Sequence, residues 1–194
     1  MFAMIDLTET DAQATGRGHF QPNRQSVTEV GILAYQAAWD AGFRAEAEVL
    51  EQALAVLSPR VEHIGTTAIP GSAARPIIDV LVGLAQPSAV EFLLESLRTH
   101  GYRAGDQHEG SNLGGRLLVR WQRGLPTHHV HVVEYCGSLW RQMLLFRDVL
   151  RIDTRLAREY EWLRRRFAGL HPANRIAYAR AKATFIQSVV SQAH

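Results

Sequence analysis

The chain has 194 residues, 46% hydrophobic and 21% charged, with a net charge of +2 and a single cysteine, Cys136. This composition excludes a largely disordered chain, an internal disulfide and a cysteine metal cluster, and supports a domain with a full core. No apolar run approaches the roughly 20 residues a membrane span needs, and the acidic start MFAMIDLTETDAQ does not read as a secretory signal, so a reducing cytoplasm and no membrane partner are expected.

Residues 1–29 mix Thr, Gln, Gly, Pro, Asn and Ser without periodicity and are expected to form a flexible tail. Residues 30–194 then make one domain, with a sheet part to about residue 137 and a helical part from 138. From Val30 the spacing predicts a helix with Leu33, Ala37, Ala41, Ala45, Val49 and Leu50 near one face and Glu46, Glu48 and Glu51 off it. Ser58-Pro59 closes it, because the residue before proline is pushed out of helical geometry. A strand over 61–64, a loop over 65–76 and an apolar strand over 77–84 follow, the last interrupted by one charge, Asp79. Residues 87–100 read as a helix that Gly101 stops. Strands are expected over 102–108, 116–121 and 128–134, with turns at 112–115 and 124–127. Ser138 is placed to cap a helix to about Arg151. A helix over 154–168 ends at Gly169, and His171-Pro172-Ala173 opens the last one. The order predicts an α/β fold, a mixed sheet covered by helices with a C-terminal helical bundle.

Charge is unevenly spread. Residues 1–137 carry 10 basic and 15 acidic side chains, and residues 138–194 carry 11 and 4. The basic C-terminal third points to an anionic partner, or to a solvated helical face. Every basic residue except Lys182 is arginine, so either a compact ammonium is wanted there or the lone lysine is chance.

Asp79 sits among Pro76, Ile77, Ile78, Val80, Leu81 and Val82. A carboxylate in a buried strand must be ion-paired, hydrogen-bonded or metal-bound. Arg75 is the candidate structural partner, and a functional carboxylate is the other reading. His129 and His131 project from one face of their strand, His128 and Glu134 from the other. An H-x-H pair has metal-ligand spacing, and with Asp79 it would make a two-His-one-carboxylate set for a divalent ion, Mg or Mn or a His-favouring transition metal. Hydrogen-bonded strand histidines without metal are the alternative. His63, two residues before Gly65, is expected to face the same cleft as a base or phosphate donor, with Glu62 pointing the other way; a satisfied strand histidine is the rival reading. Gly65 lets the backbone approach a ligand, and the hydroxyls of Thr66 and Thr67 can donate to phosphate; a simple turn is the other reading of this triplet. Arg147 and Arg151 share a helix face, and Arg175, Tyr178 and Lys182 are at helical spacing. They either supply cations to an anionic ligand or are tied up by Asp148 and Glu159. Trp140, Phe146, Tyr160, Trp162 and Phe185 are expected in the core or between helices, and Cys136 as a small apolar filler.

The segment VEHIGTTAIPGSAARPIIDVLVGL (61–84), the set Tyr35, Trp39, Phe43 and Glu46, HHVHVVE (128–134), WRQMLLFRDVLR (140–151), Glu159-Tyr160, and Asn174-Arg175 with Tyr178 and Lys182 together resemble the GrpB family. That family is similar to the nucleotidyltransferase superfamily, which includes polymerase-β-like enzymes. The resemblance implies a nucleotidyltransferase-like fold in which residues 65–67 stand where the superfamily holds a nucleotide's triphosphate. It implies metal-binding acids two apart on the next strand. Asp79 matches, and position 81 is leucine, a departure common in the family. His131 matches the family's most typical histidine, and Arg75 stands where the family usually has lysine, a plausible anion contact. The implied activity is nucleotidyl transfer to a hydroxyl acceptor at a metal site, with Asp79, His131 and His63 catalytic. The alternative, favoured by the missing acid, is a non-catalytic module for a nucleotide, a coenzyme A precursor or another phosphorylated small molecule. RNA binding ranks last, since the arginines are spread over three helices and not grouped in one patch with stacking aromatics.

Overall fold

The computed structural model describes residues 31–105, 115–167 and 175–192, the side chains of 175–179 aside. The expected tail over 1–29, the end of the strand at 106–108, most of the turn at 112–115, and the boundaries at Gly169 and His171-Pro172-Ala173 lie outside the described residues.

Five strands form one mixed sheet in the order β1-β2-β5-β4-β3: β1 Arg60–Ile64, β2 Ile78–Leu84, β3 Tyr102–Ala104, β4 Arg116–Gln122 and β5 Leu125–Glu134. β2 and β5 are parallel, and the other neighbours are antiparallel. β2 lies inside the sheet, between β1 and β5, because its apolar run can be covered on both faces. On one face Ile78, Val80, Val82, Leu84, Val130, Val132 and Leu118 pack with Leu50 and Leu54, in and just after α1 (Ala38–Ala53), and with Leu97 of α2 (Leu94–Thr99). On the other face Leu81, Val133 and Ile64 lie under Trp140 of α3 (Ser138–Ile152). α4 (Thr154–Phe167) and α5 (Arg175–Gln192) close on α3 around Leu150, Tyr160, Phe146 and Phe185. The mixed sheet and the C-terminal helices are as the sequence predicts.

Several local expectations are corrected. The first helix starts at Ala38, not near residue 30, and Leu33 instead exchanges backbone hydrogen bonds with Ala74 at 2.8 and 2.9 Å. The buried residues of α1 are Trp39, Glu46 and Leu50, while Ala37, Ala41 and Ala45 are exposed. Aromatic and leucine area decides which face turns inward, and alanines contribute little to that choice. Residues 87–93 form a 3-10 helix ahead of the short α2. The β4–β5 turn is only Arg123-Gly124, with φ of 50° and 79°. Both central residues are left-handed, as a two-residue hairpin requires, so β5 begins at Leu125.

Ser138 is the first helical residue of α3 rather than its cap, and the cap position is Gly137. Asp153 does cap α4, its Oδ1 accepting from the N–H groups of Arg155 and Leu156 at 2.9 and 3.0 Å. Cys136 is exposed in a turn with φ 57° and fills no interior gap. Trp162 is 61% exposed and so belongs to no core. Among the described residues no helix is long and apolar enough to cross a membrane.

Candidate functional site

The strand register builds the site. Ile64 of β1 lies opposite Asp79 of β2, and Asp79 lies opposite His129 of β5, with His131 opposite Leu81. Directly opposed residues share a face, so Asp79, His129 and His131 all stand on the face that α3 packs against. His129 Nδ1 is 3.5 Å and His131 Nε2 3.7 Å from the same carboxylate oxygen, Asp79 Oδ1. All three side chains remain partly open, at 28%, 18% and 26% exposure for Asp79, His129 and His131. Burial opposes charge on Asp79, but hydrogen bonds and charge from His129 and His131 outweigh it and hold the carboxyl well below the usual carboxylate range.

Gly65 follows β1 with φ 69° and ψ −170°, a region nearly reserved for glycine. A Cβ there would sit 2.2 Å from Asp79 Oδ2. The bend therefore passes directly against the carboxylate, and Arg151 is tethered to its far side by a 2.9 Å hydrogen bond from Nε to the carbonyl of Ala68. The Arg151 side chain is 37% exposed.

The other expected site residues are placed differently. His63 lies opposite Val80, on the α1 face, and so does not share the Asp79 cleft; it is Glu62 that faces the α3 side. His63 stacks on Phe43 with ring centroids 4.6 Å apart, and its Nε2 is 3.0 Å from Thr67 Oγ1. Burial pushes its pKa down to about 4 even though Asp40, 3.6 Å from Nδ1, works against that shift. It is the satisfied strand histidine. The Thr67 hydroxyl is buried and engaged by His63, so it is not turned to a ligand, whereas Thr66 is partly exposed.

Arg147 is consumed internally. It donates to Glu62 at 2.8 Å, to the carbonyl of His63 at 3.0 Å and to Asp148 at 2.7 Å. Arg75 is exposed, and the partners of Asp79 are imidazoles. Lys182 is exposed on α5, and the side chains of Arg175 and Tyr178 lie outside those described. A concavity along the edge strand β1 is lined by Asp40, Phe43, Arg44, Glu62, His63, Arg147 and Arg151; it does not include Asp79, His129 or His131.

Leu81, two residues after Asp79 on the same strand, is fully buried with Ile64, Val133 and Trp140. Among the described residues no group of three or more His, Cys, Asp and Glu is arranged to hold a metal ion. As they stand, both imidazoles turn to one oxygen of Asp79 and the three groups form a cluster with one another. As placed, the three side chains are arranged around one another and do not fit around the divalent ion that the sequence resemblance implies.

A second polar cluster was not read from the sequence. Glu46 on α1 is 1% exposed. It accepts from Tyr102 Oη at 2.5 Å and from Arg120, and His128 Nε2 lies 3.8 Å away. The signal was present: Trp39, Phe43 and Glu46 fall on one helical face, so an acid shares the aromatic side of α1.

The sequence matches the family described as GrpB protein over residues 29–192. The UPF0157 protein YqkA of Bacillus subtilis is 32% identical over 90% of this chain, and the chain spans 49% of YqkA's length. The crystal structure of the conserved protein GrpB from Enterococcus faecalis superimposes with a TM-score of 0.71 at 33% identity, covering 84% of this chain and 96% of that one. The Cid1 poly(U) polymerase overlaps more loosely, with a TM-score of 0.45 at 12% identity over 64% of this chain and 41% of its own. With the matched span reaching from the first described residues to the end of α5, the chain belongs to the GrpB family.

Proposed function

We propose that this chain binds a nucleotide or another phosphorylated small molecule at the Gly65 bend. The observation that carries the reading is the meeting of three elements at one point. The bend runs against Asp79, and Asp79 in turn holds His129 and His131. A left-handed glycine lets backbone N–H groups come close to an anion. Asp79 orients both rings and leaves Nε2 of His129 and Nδ1 of His131 as the ring nitrogens for a ligand. Arg151 is tied to the same segment through the carbonyl of Ala68 and lies 3.7 Å from Asp148, and its guanidinium is of a kind that suits phosphate oxygens.

Binding is favoured over nucleotidyl transfer because the second carboxylate position is filled by Leu81, which is part of the core. Calorimetric titration of ATP, ADP and inorganic phosphate, with and without Mg²⁺ or Mn²⁺, tests this together with an assay for pyrophosphate release. The reading predicts saturable binding, weakened at least about tenfold in a His129→Ala/His131→Ala variant, with no turnover. Metal-dependent pyrophosphate release that Asp79→Asn abolishes would replace it with the transferase reading.

A further inference from the structure

All the arginines of α4 except the buried Arg164 lie on one side of the helix. Arg155, Arg158, Trp162, Arg165 and Arg166 are all exposed. At 3.6 residues per turn they fall within one stripe of roughly 100° centred on Trp162. The opposite side of the helix carries the buried Tyr160 and Arg164. The stripe is about 16 Å long at the helical rise. Two acids temper it: Glu159 lies 3.7 Å from Arg155, and Glu161 accepts from Arg165 at 2.8 Å. Trp162 is 61% exposed, and the guanidinium of Arg166 lies 5.1 Å from its ring centroid. A cation over one face holds an indole in place and leaves its other face for a flat partner.

We propose that this α4 face is a docking surface for single-stranded nucleic acid, with Trp162 stacking on a base and the flanking arginines following the phosphates. A line of cations interrupted by one large exposed aromatic is what a single strand recognises, because its bases are unpaired and can be turned out to stack. A duplex keeps its bases inside and would use only the charge. An anionic membrane would need an apolar helix face to sink into the interface. The apolar face of α4 is already used against Leu150, Phe146 and Phe185, and Trp162 stands alone among arginines. The surface is independent of the Gly65 bend.

The test is fluorescence anisotropy of a labelled 12-nucleotide RNA with the full chain, against the same sequence as a duplex and against phosphatidylserine vesicles. Trp162→Ala and Arg158→Glu/Arg166→Glu variants are measured alongside, with a thermal melt of each to confirm folding. Single strands are expected to bind more tightly than duplex. Trp162→Ala should weaken them about tenfold or more through lost stacking, and the double charge reversal should weaken binding further and flatten its salt dependence. Calorimetric binding of ATP should be unchanged in Trp162→Ala, which separates this surface from the phosphate site. Absence of RNA binding at low salt, equal affinity for duplex, wild-type affinity in Trp162→Ala, or preferential binding to the vesicles would each overturn the proposal.

Discussion

Gly65 has no room for a side chain, and that is the most exacting local fact about the site. Its φ of 69° with an extended ψ, and the 2.2 Å separation between a notional Cβ and Asp79 Oδ2, act together. Gly65→Ala should cost at least about 2 kcal/mol from the backbone conformation alone, read as a lowered urea midpoint, and should push Asp79 away from the imidazoles. Leu81 answers a different question. Leu81→Ala opens a cavity beside Trp140 and should cost about 3 kcal/mol. Leu81→Asp, which puts a second acid two residues after Asp79, should cost more than the alanine variant because it buries an unpaired charge. If Leu81→Asp were instead as stable as wild type and bound Mn²⁺, position 81 would be a site position and not a core one.

The cluster of Asp79 with His129 and His131 was legible because strand alternation fixes which side chains of one strand share a face. The placement of His63 was not. Its side depends on the register between β1 and β2, which pairs Ile64 with Asp79, and a shift by one residue reverses every side chain. Nothing within the segment 61–64 reveals that register. Thr67 follows from the same register, since its hydroxyl is engaged by His63 on the α1 face.

At the scale of elements, α1 shows how a helix face is chosen. Regular alanine spacing suggested one stripe, but Trp39 and Phe43 carry the area, and Glu46 is drawn in with them. The acid is tolerated because Tyr102 of β3 and Arg120 of β4 reach it across the sheet. Glu46→Ala should therefore cost about 3–5 kcal/mol in chemical denaturation, since it leaves Arg120 partly buried without its counter-ion. Glu46→Gln keeps the shape and an acceptor for Tyr102 and should cost less. Equal losses would show that the charge pair with Arg120, and not packing volume or the bond from Tyr102, is what Glu46 supplies.

The helices were legible at the level of existence and order, and their ends less so. The cap of α4 is Asp153, and the α3 cap position is a glycine without a side-chain bond, although a serine stood one residue away. The exposed face of α4 was missed because five positions that look scattered in the sequence gather only when wound on a helix whose opposite side packs on its neighbours.

At the scale of the whole molecule, the buried histidines tie stability to pH. His63 is neutral in the fold, with its pKa pushed down by burial to about 4 from 6.5. As pH falls below 6.5 the unfolded chain takes up this proton first. The stability that neutral His63 provides is thus complete above pH 6.5 and is lost progressively as pH falls toward 4, by about 3 kcal/mol in total. His128 is shifted in the same direction, also by burial, so the two add. Urea midpoints at pH 7 and pH 4.5 should show this loss in wild type, and a smaller one in His63→Asn. An unchanged pH dependence in that variant would contradict the account. Asp79 acts lower on the scale: its depressed value gives stability that is present above about pH 4 and disappears only in strong acid.

Ligand binding at the Gly65 bend is read most directly by a histidine-selective NMR titration of the full chain with ATP, following the ring nitrogens of His63, His129 and His131. The His129 and His131 signals are expected to move saturably while His63, on the opposite face of the sheet, stays in place, and Asp79→Asn is expected to remove the response. Movement of His63 with His129 and His131 unmoved would put the ligand in the concavity along β1 and contradict the claim.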